Sequence, residues 1–426
     1  MHSDAYVPWN RGFDQHAGYL QGCGGGWTHI SSCCQASSEP IHDDGYICPG
    51  PEAGSKDYRG YDWFTKGVPD LSANGTRSAE IIRGHTLAFL QEQAALRTAS
   101  SSSSSPPPPF FLYLPFQNIH APYDCPAAYA AKFAGDPRFT PEEVDMYGYM
   151  NEMDDVVGDV YAALLQHDLW NSTLVIYSSD NGAPNARNVR DRNWPLRGFK
   201  TQVWEGGTKV PGFVSGGVVP TARRGRVSEE LYHVTDWVPT ILRAAGRSTT
   251  AELDGHDIWD SVMGGQPSPR TEMVYNINPL CYSGQAAAPK AAIREGNFKL
   301  MAYCYSVQGI AGGTTTGPHA PAHGEKMKWE FKTPVVLFDL ATDPSETTDV
   351  SAAHPEVVSR LLTRMQSFAE ANMVEPQQWV PPYQGEDYYC AKCPLRPATN
   401  KPFQPWTPWI NGTQLANGAR GPVLVY

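Results

Sequence analysis

An acid, an amide and a glycine close the apolar run Leu174-Val175-Ile176-Tyr177-Ser178-Ser179-Asp180-Asn181-Gly182. Asp180 offers carboxylate oxygens and Asn181 a neutral side-chain oxygen. Adjacent hard oxygen donors suit Ca²⁺ or Mg²⁺. The same residues are also ordinary turn chemistry, with an Asx turn ending the strand, and the dipeptide alone leaves both readings open. A second candidate, His120, stands in Pro115-Phe116-Gln117-Asn118-Ile119-His120-Ala121-Pro122, just after the apolar run Phe110-Phe111-Leu112-Tyr113-Leu114. By itself a lone histidine in that place is an ordinary loop residue.

The elements around these residues read as α/β. Leu174 to Tyr177 is rich in β-branched and aromatic residues, which predicts a buried strand. Ligands of open α/β sheets bind at the carboxyl ends of strands, where Asp180 and Asn181 stand. Pro141 to Leu169 has the helical period. Met146, Met150, Met153, Val157, Val160, Tyr161 and Leu164 share one side, and Glu152, Asp155 and Asp159 make a solvated face. That helix leads through Asn171-Ser172-Thr173 into the strand, which suggests a βαβ unit. A further helix is expected from Ser78 to Arg97, with Ile82, Phe89, Leu90 and Leu96 mostly on one face. The serine and proline tract 100–109 after it reads as a solvated loop.

Later in the chain, Val234, Trp237, Val238, Ile241 and Leu242 form an apolar stripe, which makes structural roles the better reading for His233 and Asp236. Beyond Pro269 the composition changes. Glu272 to Ile277, Ala292 to Leu300 and Val335 to Leu340 read as short strands in antiparallel hairpins. His354 to Ala371 reads as an amphipathic helix presenting Val358, Leu361, Leu362, Met365 and Phe368. Two domains are therefore expected, 1–268 and an α+β part 269–426 that ends in an irregular tail.

Composition limits the function classes. The chain has 426 residues, 33 basic against 44 acidic, for a net charge of −11. That balance argues against a general nucleic-acid or membrane-surface binder. No apolar run approaches the roughly 20 residues of a membrane span, and residues 1–4 do not open a signal peptide. Sequons stand at Asn74, Asn171 and Asn411. The nine cysteines include an early cluster (Cys23, Cys33, Cys34, Cys48) and the pair Cys390 and Cys393. No second C-x-x-C accompanies that pair, so disulfides in a secretory protein are the expected use, and the odd count implies a free thiol or a partner cysteine missing from this chain.

A composite pattern sharpens the reading. The S-x-D-N-G strand end is followed by Asn193-Trp194-Pro195-Leu196-Arg197-Gly198-Phe199-Lys200 and then by Trp204-Glu205-Gly206-Gly207. Upstream stands Arg11-Gly12-Phe13-Asp14 with Gly18-Tyr19-Leu20; downstream come His233-Val234-Thr235-Asp236-Trp237, then A-I-R-x-G-N-x-K-L and L-F-D-L-x-x-D-P-x-E. From about Arg11 to about Met373 this resembles the sulfatase family, most closely the arylsulfatase B type. The resemblance implies an alkaline-phosphatase-like α/β fold: a mainly parallel mixed sheet sandwiched by helices, with a smaller α+β C-terminal domain carrying an antiparallel sheet. It also implies hydrolysis of sulfate esters of sulfated sugars or aryl sulfates. One Ca²⁺ is held partly by Asp180 and Asn181, His120 of the H-x-P motif contacts the ester, and Lys200 contacts the sulfate or leaving group. A secretory, extracellular or lysosomal location goes with it.

One family feature is missing. Sulfatases carry a formylglycine nucleophile made from C/S-x-P-x-R, and these 426 residues contain no such motif. Cys393-Pro394-Leu395-Arg396 lacks the spacing, and Asp43-Asp44 do not follow an apolar strand. The early strand with paired aspartates and the K-W-H-x-G segment are absent too. The expectation is an N-terminally incomplete sulfatase, inactive as given, its calcium site incomplete. A formylglycine-generating enzyme would be a partner only of a full-length form. The alternatives are a non-catalytic homologue that binds sulfated glycans and, disfavoured by the W-P-L-R-G-x-K match, a related phosphohydrolase.

Overall fold

The structure, a computed structural model, describes residues 6–20, 24–32, 59–100, 109–121, 123–184, 193–277, 289, 291–308 and 328–372. The early cysteine cluster, Cys390, Cys393, Asp43, Asp44 and Asn411 lie outside them. The chain forms two compact units. One is Met1–Trp170 with Ala186–Val189 and Pro382–Tyr426; the other is Asn171–Asn185 with Arg190–Pro381. The change of composition near Pro269 marks a different point, the start of an antiparallel sheet within the second unit.

Short antiparallel pieces open the first unit: β1 (Ala17–Gly18), β2 (Ile30–Ser32), β3 (Arg59–Tyr61), β4 (Phe64–Thr65) and β5 (Val68–Pro69). Three helices follow: α1 (Ser78–Ser100), α2 (Ala127–Ala130) and α3 (Pro141–Gln166). Helix α1 buries Ile82, Thr86 and Leu90, one turn apart, and packs on α3. Its Ile82 joins Tyr61, Trp63 and Ala73 in the core, whereas Leu96 is exposed. Helix α3 begins at a capping box, with Thr140 and Glu143 each accepting the other's backbone N–H. Pro141 occupies the first turn, where its missing N–H has no cost.

Two expectations change here. Glu152 does not belong to a solvated face; it is 4% exposed and pairs with the buried Arg77. Its partner stands 75 residues upstream, so periodicity along α3 could not reveal it. Residues 110–114, expected as a strand, join no ladder among the described residues. Phe111 and Tyr113 are exposed, and alternate residues turn inward, Phe110 onto Phe89 and Leu114 onto the Trp63 cluster.

In the second unit β6 (Val175–Ser178) is followed by α4 (Glu205–Thr208) and β7 (Gly212–Ser215). Strand β6 is only half-buried; among the described residues its ladder is with β7, antiparallel, and Phe213 opposite Tyr177 is itself exposed. Every ladder among the described residues is antiparallel, so the parallel pairings and the βαβ contact expected of the main sheet are not among them. Helices α5 (Trp237–Ala244) and α6 (Trp259–Gly264) come next. Val234 and Val238 point outward, and the inward positions are Asp236 and Thr240. Trp237, Ile241 and Leu242 of the expected apolar stripe are half-buried, and the fully buried positions are polar because Arg270 supplies a counter-charge to Asp236.

The rest is an antiparallel sheet ordered β11-β10-β9-β8, from β8 (Glu272–Ile277), β9 (Ala291–Glu295), β10 (Phe298–Gln308) and β11 (Lys328–Asp339). Gly296 takes the positive φ of the β9–β10 turn. Helix α7 (Pro355–Asn372) covers one face through Leu361 and Met365, against Ile293, Leu300 and Leu337. Alternate residues Ala292, Met301 and Phe338 face the other way, onto Val203 and Trp204. The sequence pattern of hairpins closed by one amphipathic helix is realised as expected.

Candidate functional site

Two loops and a short helix form the candidate site in the second unit. After β6 the chain turns at Ser179, whose N–H donates to Pro211 O. The Asp180 carboxylate is exposed and accepts the Asn181 N–H at 2.8 Å. Asn181 Nδ2 donates to Gly182 O at 2.9 Å, which leaves Oδ1 as the amide atom facing any cation. Gly182 then passes so close to α4 that a Cβ would lie 1.8 Å from Gly206 O, and its N–H donates to Gly207 O. Only glycine fits there.

The loop carrying Lys200 is bonded to the same turn. Lys200 N–H donates to Ala183 O at 3.0 Å. Asn193 Oδ1 accepts from Ala183 N, and its Nδ2 donates to Ala183 O and Gly198 O. Gly198, at φ +85°, lies against Trp204, and a Cβ there would sit 2.5 Å from the Trp204 Cβ. Gly206 N–H closes the arrangement on Arg197 O at 2.7 Å. Asp180, Asn181 and Lys200 therefore stand on two segments tied through Ala183. Asn193 escaped the sequence reading, although it opens the N-W-P-L-R-G-x-K pattern.

His120 belongs to the first unit. It is exposed, and its Nδ1 lies 2.7 Å from Ala121 O; a carbonyl only accepts, so Nδ1 is the donor in this contact. The loop before it is held from beneath. Asn118 Nδ2 donates to Tyr149 O and to Glu152 Oε2. The buried Arg77 donates to both Glu152 oxygens and to Asp124 O, and lies between the Trp27 and Tyr149 rings. Burial opposes the charge of Arg77, but Glu152 outweighs it and holds the guanidinium above its usual range.

His233 and Asp236 take structural roles. Asp236 is fully buried and accepts from Arg270 Nε and Nη2 and from the N–H groups of His233 and His256. Burial alone would raise this carboxyl; Arg270 and the two backbone donors together bring it below the usual carboxylate range.

For a metal, the donor chemistry fits in part. Asp180 and Asn181 present hard oxygens at one loop, but among the described residues no cluster of three or more His, Cys, Asp or Glu could hold an ion. Ca²⁺ takes about 6–8 oxygen ligands, so the two residues make one edge of such a sphere and not the whole.

A sequence model of the family described as Sulfatase matches residues 15–247. The chain belongs to the sulfatase family. This sulfatase is 29% identical over 380 residues to arylsulfatase J of Mus musculus, covering 85% of this chain and 57% of that protein. It is 30% identical over 268 residues to steryl-sulfatase of Rattus norvegicus, 59% of this chain and 44% of that one. Against arylsulfatase A of Homo sapiens it is 29% identical over 261 residues, 59% and 47%. The chain thus spans about half the length of the curated relatives it matches. The solved structure of Ps i-CgsB is similar with a TM-score of 0.58 at 20% identity, over 86% of this chain and 68% of that one. At that identity the likeness speaks for the fold, which is the alkaline-phosphatase-like α/β class expected from the sequence. No helix among the described residues is long and apolar enough to cross a membrane.

Proposed function

We propose that the chain carries the anion-binding part of a sulfuric ester hydrolase of the arylsulfatase type, with sulfated sugars or aryl sulfates as ligands. The observation that supports this is the bonding of the Lys200 loop to the Asp180-Asn181 turn through Ala183 and Asn193. A sulfate ester is an anion whose cleavage adds charge to the departing oxygen. A preorganised ammonium answers that charge, and Lys200 brings one on a flexible stem. His120 is proposed to contact the ester. Asp180 and Asn181 would contribute to a calcium site; the ion, when bound, polarises the sulfate oxygens. A secretory or lysosomal setting agrees with the exposure of the sequon residues Asn74 and Asn171.

The 426 residues hold no C-x-P-x-R or S-x-P-x-R sequence. That favours a second reading for the chain as it stands, binding sulfated ligands without turning them over. Calorimetry with 4-nitrocatechol sulfate, with and without Ca²⁺, tests both. The ester should bind more tightly than its desulfated parent, and Lys200→Ala should weaken it by about 10-fold or more, the value of a charge-assisted hydrogen bond. Equal affinity for ester and parent would overturn the anion site. Release of nitrocatechol, abolished by Lys200→Ala, would overturn the binding-only reading.

A further inference from the structure

One buried cluster in the second unit lies behind the candidate site. Lys299 of β10 is wholly buried, its Nζ 2.7 Å from Glu205 Oε1 and 2.8 Å from Glu346 Oε1. Tyr275 lies beneath the ammonium, 4.1 Å from it to the ring centre, and donates its hydroxyl hydrogen to Glu205 Oε1. Glu346 Oε1 meets the ammonium in a charge-assisted contact. Its other oxygen accepts the Glu205 N–H at 2.7 Å, at the first residue of α4. Glu346 stands at φ +57°, and its backbone oxygen accepts from Arg197, whose guanidinium lies 3.9 Å from the Trp204 ring centre.

Burying two carboxylates and one ammonium is expensive, and apolar residues of similar volume would serve a core as well or better. Stability alone is thus a weak reason for this cluster. What distinguishes it is its neighbour. Glu205 begins the helix whose next two glycines touch both loops of the site. Gly206 binds Arg197 O, and Gly207 O receives the Gly182 N–H. A Cβ on Gly207 would lie 2.4 Å from Phe199 O, so the fit is too close for either loop to move independently of α4.

We propose that Lys299, Glu205 and Glu346 are positioning residues, which fix α4 on the antiparallel sheet and thereby set the Asp180-Asn181 turn against Lys200. The cluster is a point of attachment: directional, desolvated and centred on one ammonium, where an apolar contact would let α4 slide. For the site's role in sulfate binding the proposal rests on the reading above; for its geometry it does not.

The test separates the two. Glu346→Gly removes the side chain while glycine accepts the positive φ without strain. Burial pushes the Glu346 carboxyl up while Lys299 draws it down, and Glu346→Gln is the conservative partner, with an amide oxygen still able to accept from Glu205. Leu361→Ala, on the opposite face of the same sheet, is the control for general loosening. Amide hydrogen exchange on the full chain reads Gly182 and Lys200 directly and needs no ligand.

Glu346→Gly should speed exchange at both amides about tenfold, the scale of one lost hydrogen bond to a charged group. Glu346→Gln should stay near wild type. Leu361→Ala, matched in loss of Tm, should leave the two amides slower than Glu346→Gly does. Unchanged exchange in folded Glu346→Gly, or equal loosening by Leu361→Ala, overturns the proposal. Binding of 4-nitrocatechol sulfate, measured alongside, should weaken only where exchange rises. Faster exchange with no binding by wild type would sink the functional reading and leave the positioning intact.

Discussion

Gly182→Ala puts the close approach of the site turn to α4 under direct strain. The added Cβ would lie 1.8 Å from Gly206 O, 2.8 Å from Gly206 C and 3.1 Å from the Gly207 Cα. Real Cβ contacts begin near 3.0 Å, so the turn must retreat by about 1.2 Å, the difference between 3.0 and 1.8. The atoms in the way are backbone, and no rotamer change relieves them. Overpacking of this kind costs about 1–3 kcal/mol. The retreat also breaks the Gly182 N–H bond to Gly207 O, worth about 0.5–1.5 kcal/mol. The total is about 1.5–4.5 kcal/mol. The control is the same substitution where space is open. Gly158 lies inside α3 with nothing within 4 Å of its Cβ position, so Gly158→Ala should stabilise by about 0.5–1 kcal/mol. Urea denaturation at constant m reads both. The displacement should weaken binding of 4-nitrocatechol sulfate as well, because it separates the Asp180-Asn181 turn from Lys200. A Gly182→Ala midpoint indistinguishable from wild type would refute the contact and with it the rigidity claimed for the site.

Two further expectations concern the buried ion pairs. Arg77→Met leaves Glu152 buried without its cation and removes the clamp on Asp124; it should cost about 3–5 kcal/mol in denaturation experiments, and a loss under 1 kcal/mol would mean that Glu152 finds water or another partner. Asp236 titrates below the unfolded carboxyl value of about 3.9, despite burial, through Arg270 and the two backbone donors. Between the two pKa values the unfolded chain binds more protons, so stability rises with pH; the contribution is complete above about pH 4–5 and is lost as pH falls through the folded value. Asp236→Asn should therefore flatten stability against pH in the acid range, and an unchanged acid slope would place the titration elsewhere.

Much was legible in the sequence where residue type and period determine local form. The short apolar runs in residues 272–277, 292–300 and 335–340, separated by turns, pointed to a hairpin sheet, and both its faces are covered, one by α7 and the other by Trp204. Thr140, Pro141 and Glu143 announce the start of α3 because each satisfies or spares a backbone donor in the first turn. The candidate residues Asp180, Asn181 and Lys200 were readable as a linear composite.

Only the folded chain decides which distant charges meet. Glu152 reads as solvated until Arg77 lies against it, Val234 and Val238 read as core until Asp236 finds Arg270, and nothing local to Lys299 announces that Glu205 and Glu346 enclose it. Periodicity reports the hydrophobicity of a single segment. A buried charge is tolerated through a partner tens of residues away, and that partner carries no local signature. The same holds for the glycines at 182, 206 and 207, whose necessity comes from the backbone that passes beside them, and for Gly198, which lies at positive φ against the Trp204 side chain.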